Sequence, residues 1–134
     1  MLGHYEVSVS LAVKDIMTAR NFYKDKLGLL VEKEGLYECT YSSGHVKLQI
    51  YVSSEAGTNK GTAATWEVDN IEGEVAELRS KGIEFEHYAN SNMELHDDVY
   101  SMDGEKAAWF KDPDGNILCL HNGKPLEQMD VRLS

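Results

Sequence analysis

Apolar and polar side chains alternate through the first strand-like stretch, with Tyr5, Val7, Val9, Leu11 and Val13 on one side and His4, Glu6, Ser8, Ser10 and Ala12 on the other. A period of two is that of a half-buried strand, so the first set is expected in the core and the second on a wetter face. Asp15 has the chemistry of a helix N-cap. Ile16, Ala19, Phe22, Tyr23 and Leu27 follow at helical spacing as far as Gly28, where a left-handed C-cap costs least. Residues 29–33, 37–41 and 46–52 read as three strands, the last two joined by a turn at Ser42-Ser43-Gly44. The predicted order is βαβββ.

The pattern then repeats. Val7 and Thr62 open two strand-then-helix segments 55 residues apart. In the second, Ala64, Trp66 and Val68 are predicted to face a core, with Ala63, Thr65 and Glu67 opposite, before a helix carrying Ile71, Val75 and Leu78 that ends at Gly82. Residues 53–61, rich in Gly, Ser, Thr and Asn, read as a linker between the copies. The return from Gly82 to the last strand is longer than in the first copy, and the excess falls in residues 89–106, a polar stretch expected to be a mobile loop able to lid a cavity. Asp112-Pro113-Asp114-Gly115-Asn116 is a turn signal closing a hairpin between residues 107–111 and 117–121. An internal repeat of this size implies a duplicated module whose halves share a core, with Phe22, Leu48, Trp66 and Leu118 expected to carry it.

With 134 residues there is room for one domain or two small modules. Thirteen basic against twenty-three acidic residues, a formal charge of −10, argue against nucleic acid or an anionic membrane as partner and suit a neutral or cationic ligand. Cys39 and Cys119 lie far apart with no metal-type spacing, which fits a reducing compartment. No stretch has the composition of a signal peptide or a membrane span, so a soluble cytoplasmic protein is expected.

Val13-Lys14-Asp15, Ala19-Arg20-Asn21-Phe22-Tyr23, Leu27-Gly28-Leu29 and Phe110-Lys111-Asp112-Pro113-Asp114-Gly115-Asn116 together resemble the vicinal oxygen chelate superfamily, the glyoxalase/bleomycin resistance/dioxygenase proteins. The resemblance spans residues 5–122. It implies an α+β fold of two βαβββ modules, residues 5–52 and 62–122, forming curled mixed sheets around a U-shaped cavity within one domain, followed by a tail at 123–134. It also implies pairing of two chains into a homodimer.

In the metalloenzymes of that family a His in the first strand and a carboxylate or Gln in the last strand of each module hold a divalent ion. The register set by Val13-Lys14-Asp15 and Val68-Asp69-Asn70 puts those positions at Ser8, Gln49, Ala63 and Cys119. Only Gln49 and Cys119 offer a donor of the required kind, whereas a catalytic site needs about three protein ligands. The resemblance therefore implies a member without metal or other cofactor, similar to the bleomycin resistance proteins, that binds or sequesters a small cationic or aromatic molecule. Its cavity lining is Ser8, Ser10, Lys47, Gln49, Tyr51, Ala63, Thr65, Glu67, Trp109, Cys119 and His121. Two alternatives stand beside it. One is a lyase, isomerase or dioxygenase with a displaced metal site drawn from His4, Glu6, Glu67 and His121; the other is a dimeric interaction protein with an empty groove. Cys119 as a nucleophile would need His121 as its base, and two residues of strand put these about 7 Å apart. His87 and the Glu94, His96, Asp97, Asp98 group are expected to be solvated loop charge.

Overall fold

The computed structural model describes residues 1–89 and 92–123. The expected tail from 124 and positions 90 and 91 of the expected loop lie outside them. The chain divides into two compact units. One comprises Met1–Ala64 with Lys111–Ile117, and the other comprises Thr65–Phe110 with the segment that starts at Leu118. Among the described residues no helix is long and apolar enough to cross a membrane.

In the first unit the sheet order is β1-β4-β3-β2, from β1 (Ser8–Val13), β2 (Leu30–Glu34), β3 (Glu38–Ser43) and β4 (Val46–Val52). β1 runs parallel to β4, and the other two pairings are antiparallel, so the sheet is mixed. The connection between β1 and β2 is α1 (Ile16–Arg20), extended by a wider π-helical stretch over Asn21–Lys26. Asp15 caps it as its chemistry predicts: its carboxylate accepts from the Met17 amide at 3.1 Å and from the Thr18 hydroxyl at 2.8 Å. Those bonds hold the Asp15 carboxyl below the usual carboxylate range. Leu11, Val13, Leu48, Ile50 and Tyr41 are buried on one side of this sheet, and α1 packs against β4.

Two expectations fail at the start of the chain. Tyr5 and Val7 are 75% and 83% exposed, because β1 begins at Ser8 and they lie before it. The alternation they continue is a sequence pattern without a strand beneath it.

The second sheet has the order β5-β10-β9-β8-β7, built from β5 (Thr62–Glu67), β7 (Glu94–His96), β8 (Val99–Met102), β9 (Glu105–Lys111) and β10 (Ile117–Asn122); the short β6 (Phe85–Glu86) also pairs with β9. Helix α2 (Ile71–Ser80) is capped by Asn70, which accepts from the Gly73 amide, and it buries Ile71, Val75 and Leu78. Leu118 is fully buried as expected, and so is Phe110. Trp66 and Val68 are only half-buried. The physical reason is position: β5 is the edge strand, so a side chain on it lacks one lateral neighbour.

Of the stretch whose polarity predicts an open loop, residues 92–106 are built structure. They carry β7, β8 and the start of β9, and the turns between these strands are Asp97-Asp98 and Asp103-Gly104, all with positive φ. Asp tolerates that region better than most residues, and its short side chain bonds locally, so polar composition here marks hairpin turns rather than a lid.

The expected linker is also built structure. Within residues 53–61 the Ser53 hydroxyl accepts from the Glu55 amide, the Thr58 hydroxyl donates to the Glu55 carbonyl, and Asn59 accepts from the Gly61 amide. Ala56 is buried. Gly57 approaches the Asp114 carbonyl so closely that a Cβ there would lie 2.0 Å from its oxygen.

The Asp112–Asn116 turn is the hub of the first unit, although it belongs to the second repeat. The Asp112 carboxylate, 5% exposed, accepts from the Tyr23 hydroxyl at 2.7 Å, the Asp114 amide at 2.9 Å, and the Asn116 amide and side-chain amide at 2.8 Å each. Asn116 also donates to the Ala12 carbonyl, and Asp114 accepts from the Lys14 amide. Both Asp112 carboxylate oxygens thereby find two partners each.

Candidate functional site

Strand register sorts the expected cavity residues by face. On the first sheet Ser8 pairs with Lys47, Ser10 with Gln49 and Ala12 with Tyr51, and Thr40 stands opposite Gln49 on its other side. Directly paired residues share a face. Ser8, Ser10, Lys47, Gln49 and Tyr51 are therefore together on the side away from the buried Leu48 and Ile50, all at least partly exposed. Lys47 is held by Glu32 at 2.5 Å.

On the second sheet Ala63, Thr65 and Glu67 of β5, Trp109 of β9, and Cys119 and His121 of β10 alternate with the buried Phe110, Leu118 and Leu120. Ala63 is half-exposed and carries only a methyl group. Cys119 is 5% exposed and its thiol donates to the Leu120 carbonyl. Burial pushes that thiol up to about 11, with the Thr65 hydroxyl beside it pulling the other way. A thiol with so little thiolate is a packing group rather than a nucleophile.

The structure joins two residues that the sequence leaves separate. Both Glu67 carboxylate oxygens lie against His121 Nδ1, at 2.7 and 2.9 Å, while His121 Nε2 faces Glu105 at 3.8 Å, beyond hydrogen-bonding distance. It also supplies aromatic neighbours that sequence reading missed. Tyr88 and Tyr100 meet Trp109 with ring centroids 5.8 and 5.7 Å away and planes at 83° and 65°. The Tyr100 hydroxyl accepts from the Tyr88 amide at 2.6 Å, which ties the segment after β6 to β8. Tyr100 sits opposite Ala107, and Glu86 opposite Trp109. The signal for Tyr100 was present: Val99-Tyr100 lies between an Asp-Asp and an Asp-Gly pair, the sequence signature of a hairpin strand.

The charge expected to be solvated in a loop is partly organised. Asp98 accepts from Arg79 at 3.0 Å and lies 2.6 Å from His87 Nε2, whereas His96 and Asp97 stay well exposed. Among the described residues no three His, Cys, Asp or Glu groups are arranged to hold a metal ion.

These motifs agree with a family-wide comparison. The model of the Glyoxalase/Bleomycin resistance protein/Dioxygenase superfamily matches residues 2–120. The chain belongs to this superfamily. A solved glyoxalase family protein from Enterococcus faecalis is 25% identical, with a TM-score of 0.62 over 87% of this chain and 94% of that one. The fosfomycin resistance protein FosX from Mesorhizobium loti is 12% identical, with a TM-score of 0.65 over 93% and 97%. TnmS3, an antibiotic binding protein from Streptomyces sp. CB03234, is 18% identical, with a TM-score of 0.64 over 90% and 96%. The last two likenesses establish the fold alone. No curated protein sequence matches the chain. The superfamily hosts both enzymes and binding proteins, so chemistry has to be argued from the site.

The metal of the superfamily's enzymes does not fit here. The four inherited positions offer a hydroxyl, an amide oxygen, a methyl and a buried protonated thiol, and no imidazole or carboxylate. No step below passes through a metal.

Proposed function

We propose that this superfamily member binds a small planar or cationic molecule, without a metal, on the open face of its second sheet. One observation carries the reading: Trp109 with Tyr88 and Tyr100 forms an aromatic cluster on the same face as Glu67 and Glu105. An indole face attracts a cationic or aromatic group by roughly 0.5–2 kcal/mol, and nearby carboxylates supply counter-charge. Thr65 and His121 complete the proposed lining on this sheet. A fosfomycin resistance protein and an antibiotic binding protein among the structural neighbours make antibiotics the first compounds to try.

The test is a thermal-shift screen of cationic antibiotics and aromatic metabolites, followed by quenching of tryptophan fluorescence. A binder present at 100 times its dissociation constant adds about 2.7 kcal/mol of stability. Trp109→Ala is expected to weaken that binder at least ten-fold and Glu67→Gln to weaken a cationic one several-fold. Unchanged affinity in both variants would sink the reading.

The proposal includes a homodimer of single-domain chains in the cytoplasm, each domain spanning both repeats over residues 5–122. Tyr37, Leu36 and Leu30, 73%, 81% and 70% exposed, supply apolar surface near the edge strand β2 that a second copy would cover. Light scattering at micromolar concentration is expected to give twice the mass of one chain, and a monomer would remove this part. The two buried free thiols suit a reducing compartment.

A further inference from the structure

We infer that Glu67 and His121 form a metal-independent proton-transfer dyad, in which His121 Nε2 acts as general base on a planar molecule held at Trp109. The inference rests on the binding reading above and adds chemistry to it.

The geometry is that of an oriented imidazole. An ionised carboxylate only accepts hydrogen bonds, so its contact with Nδ1 places the ring proton there and leaves the lone pair on Nε2. With both carboxylate oxygens within 2.9 Å of one nitrogen, the ring is fixed in tautomer and direction. Glu105 at 3.8 Å is too distant to bond Nε2, so that nitrogen can take a proton from a bound molecule. The imidazole is 29% exposed, which leaves it accessible. Cys119, two residues away on the same strand face, is no rival base or nucleophile because its thiol stays protonated.

The reaction class follows from these parts. Nε2 removes a proton from an acidic C–H of the bound molecule, and the C–H electron pair passes to an electron sink in that molecule, either a carbonyl that becomes an enolate or a breaking bond to a leaving group. Glu67 holds the imidazolium that results, and solvent later accepts the proton. No oxidant, reductant or second substrate is required. His121 is the catalytic residue, and Glu67, acting through it, is a positioning residue.

A probe that needs only a flat aromatic platform and one base is 5-nitrobenzisoxazole. Nε2 would take its C3 proton as the C–H pair forms the nitrile, the N–O bond breaks and the phenolate leaves with a strong visible absorbance. The expected rate per chain is at least about 100-fold above that of free imidazole at equal concentration. His121→Gln should return it to the buffer rate while the probe still quenches Trp109. Glu67→Gln should lower kcat about ten-fold with KM unchanged, and Glu67→Asp should restore part of it, which a purely structural carboxylate would not do. Trp109→Ala should raise KM. Turnover no faster than imidazole, or unaffected by His121→Gln, overturns the dyad, and if quenching by the probe persists the binding reading survives. Turnover abolished by a chelator and restored by zinc also overturns it, because His121 would then be a metal ligand.

Discussion

Asp112→Ala is expected to cost about 4 kcal/mol of stability, read as a shift of the denaturant midpoint at unchanged slope. The carboxylate is 5% exposed and accepts four hydrogen bonds, so its removal strands the buried Tyr23 hydroxyl, the side chain of Asn116 and two backbone amides. A buried donor left without its partner costs about 1–3 kcal/mol, and the four losses overlap because they share one centre. Asp112→Asn keeps the shape but turns one acceptor into a donor facing other donors, and about half that loss is expected. The cluster also predicts a pH dependence. Burial, and then the Asp112 charge, push the Tyr23 hydroxyl well above the ordinary tyrosine range. A group raised in the folded state contributes stability that is fully present below the ionisation of tyrosine in the unfolded chain, about pH 10, and is lost as pH rises beyond it. Tyr23→Phe should flatten that alkaline slope. A midpoint that moves by less than about 1 kcal/mol in Asp112→Ala would show that the hub is not what anchors the turn.

Gly57→Ala is expected to be nearly as damaging, at about 3–5 kcal/mol, although it adds one methyl group. Its φ of +76° lies in the left-handed region, where a Cβ is strained by about 1–2 kcal/mol. The larger contribution is steric, since the Cβ would sit 2.0 Å from the carbonyl oxygen of Asp114. That oxygen belongs to backbone fixed by the Asp112 hub, so the overlap cannot be relieved by a rotamer change. Either the 53–61 loop lifts away and exposes Ala56, or the turn is pushed off its bonds to Lys14 and Ala12. Chemical denaturation of Gly57→Ala beside Gly61→Ala separates this from a general loop effect, because at Gly61 the nearest atom to a Cβ is a side-chain oxygen 3.6 Å away and the expected loss is under about 1 kcal/mol. Equal losses in the two variants would refute the close approach.

The repeat was legible because its signals are local. Strand parity over residues 8–13, the Asp15 and Asn70 caps and the DPDGN turn each depend on neighbours a few positions away, and each appears where the pattern puts it. Parity also sorted the strand faces: Ser8, Ser10, Gln49 and Tyr51 lie on the side of their strands opposite the buried Leu11, Leu48 and Ile50. What failed was read from composition. Polar residues at 89–106 hid two strands, and small polar residues at 53–61 hid a packed loop.

The sequence by itself determined the βαβββ pattern and the faces of the strands, because these follow from side-chain type and period. Tertiary structure alone decided which residues meet. Tyr23 reaches Asp112 across 89 positions and His121 reaches Glu67 across 54, and both encounters depend on how elements distant in sequence are packed. Trp66 is half-exposed for the same kind of reason, since whether an apolar residue is covered depends on whether its strand is at an edge. Parity tells a side chain which way to point, and the partner it finds there is set by which strand the fold lays alongside.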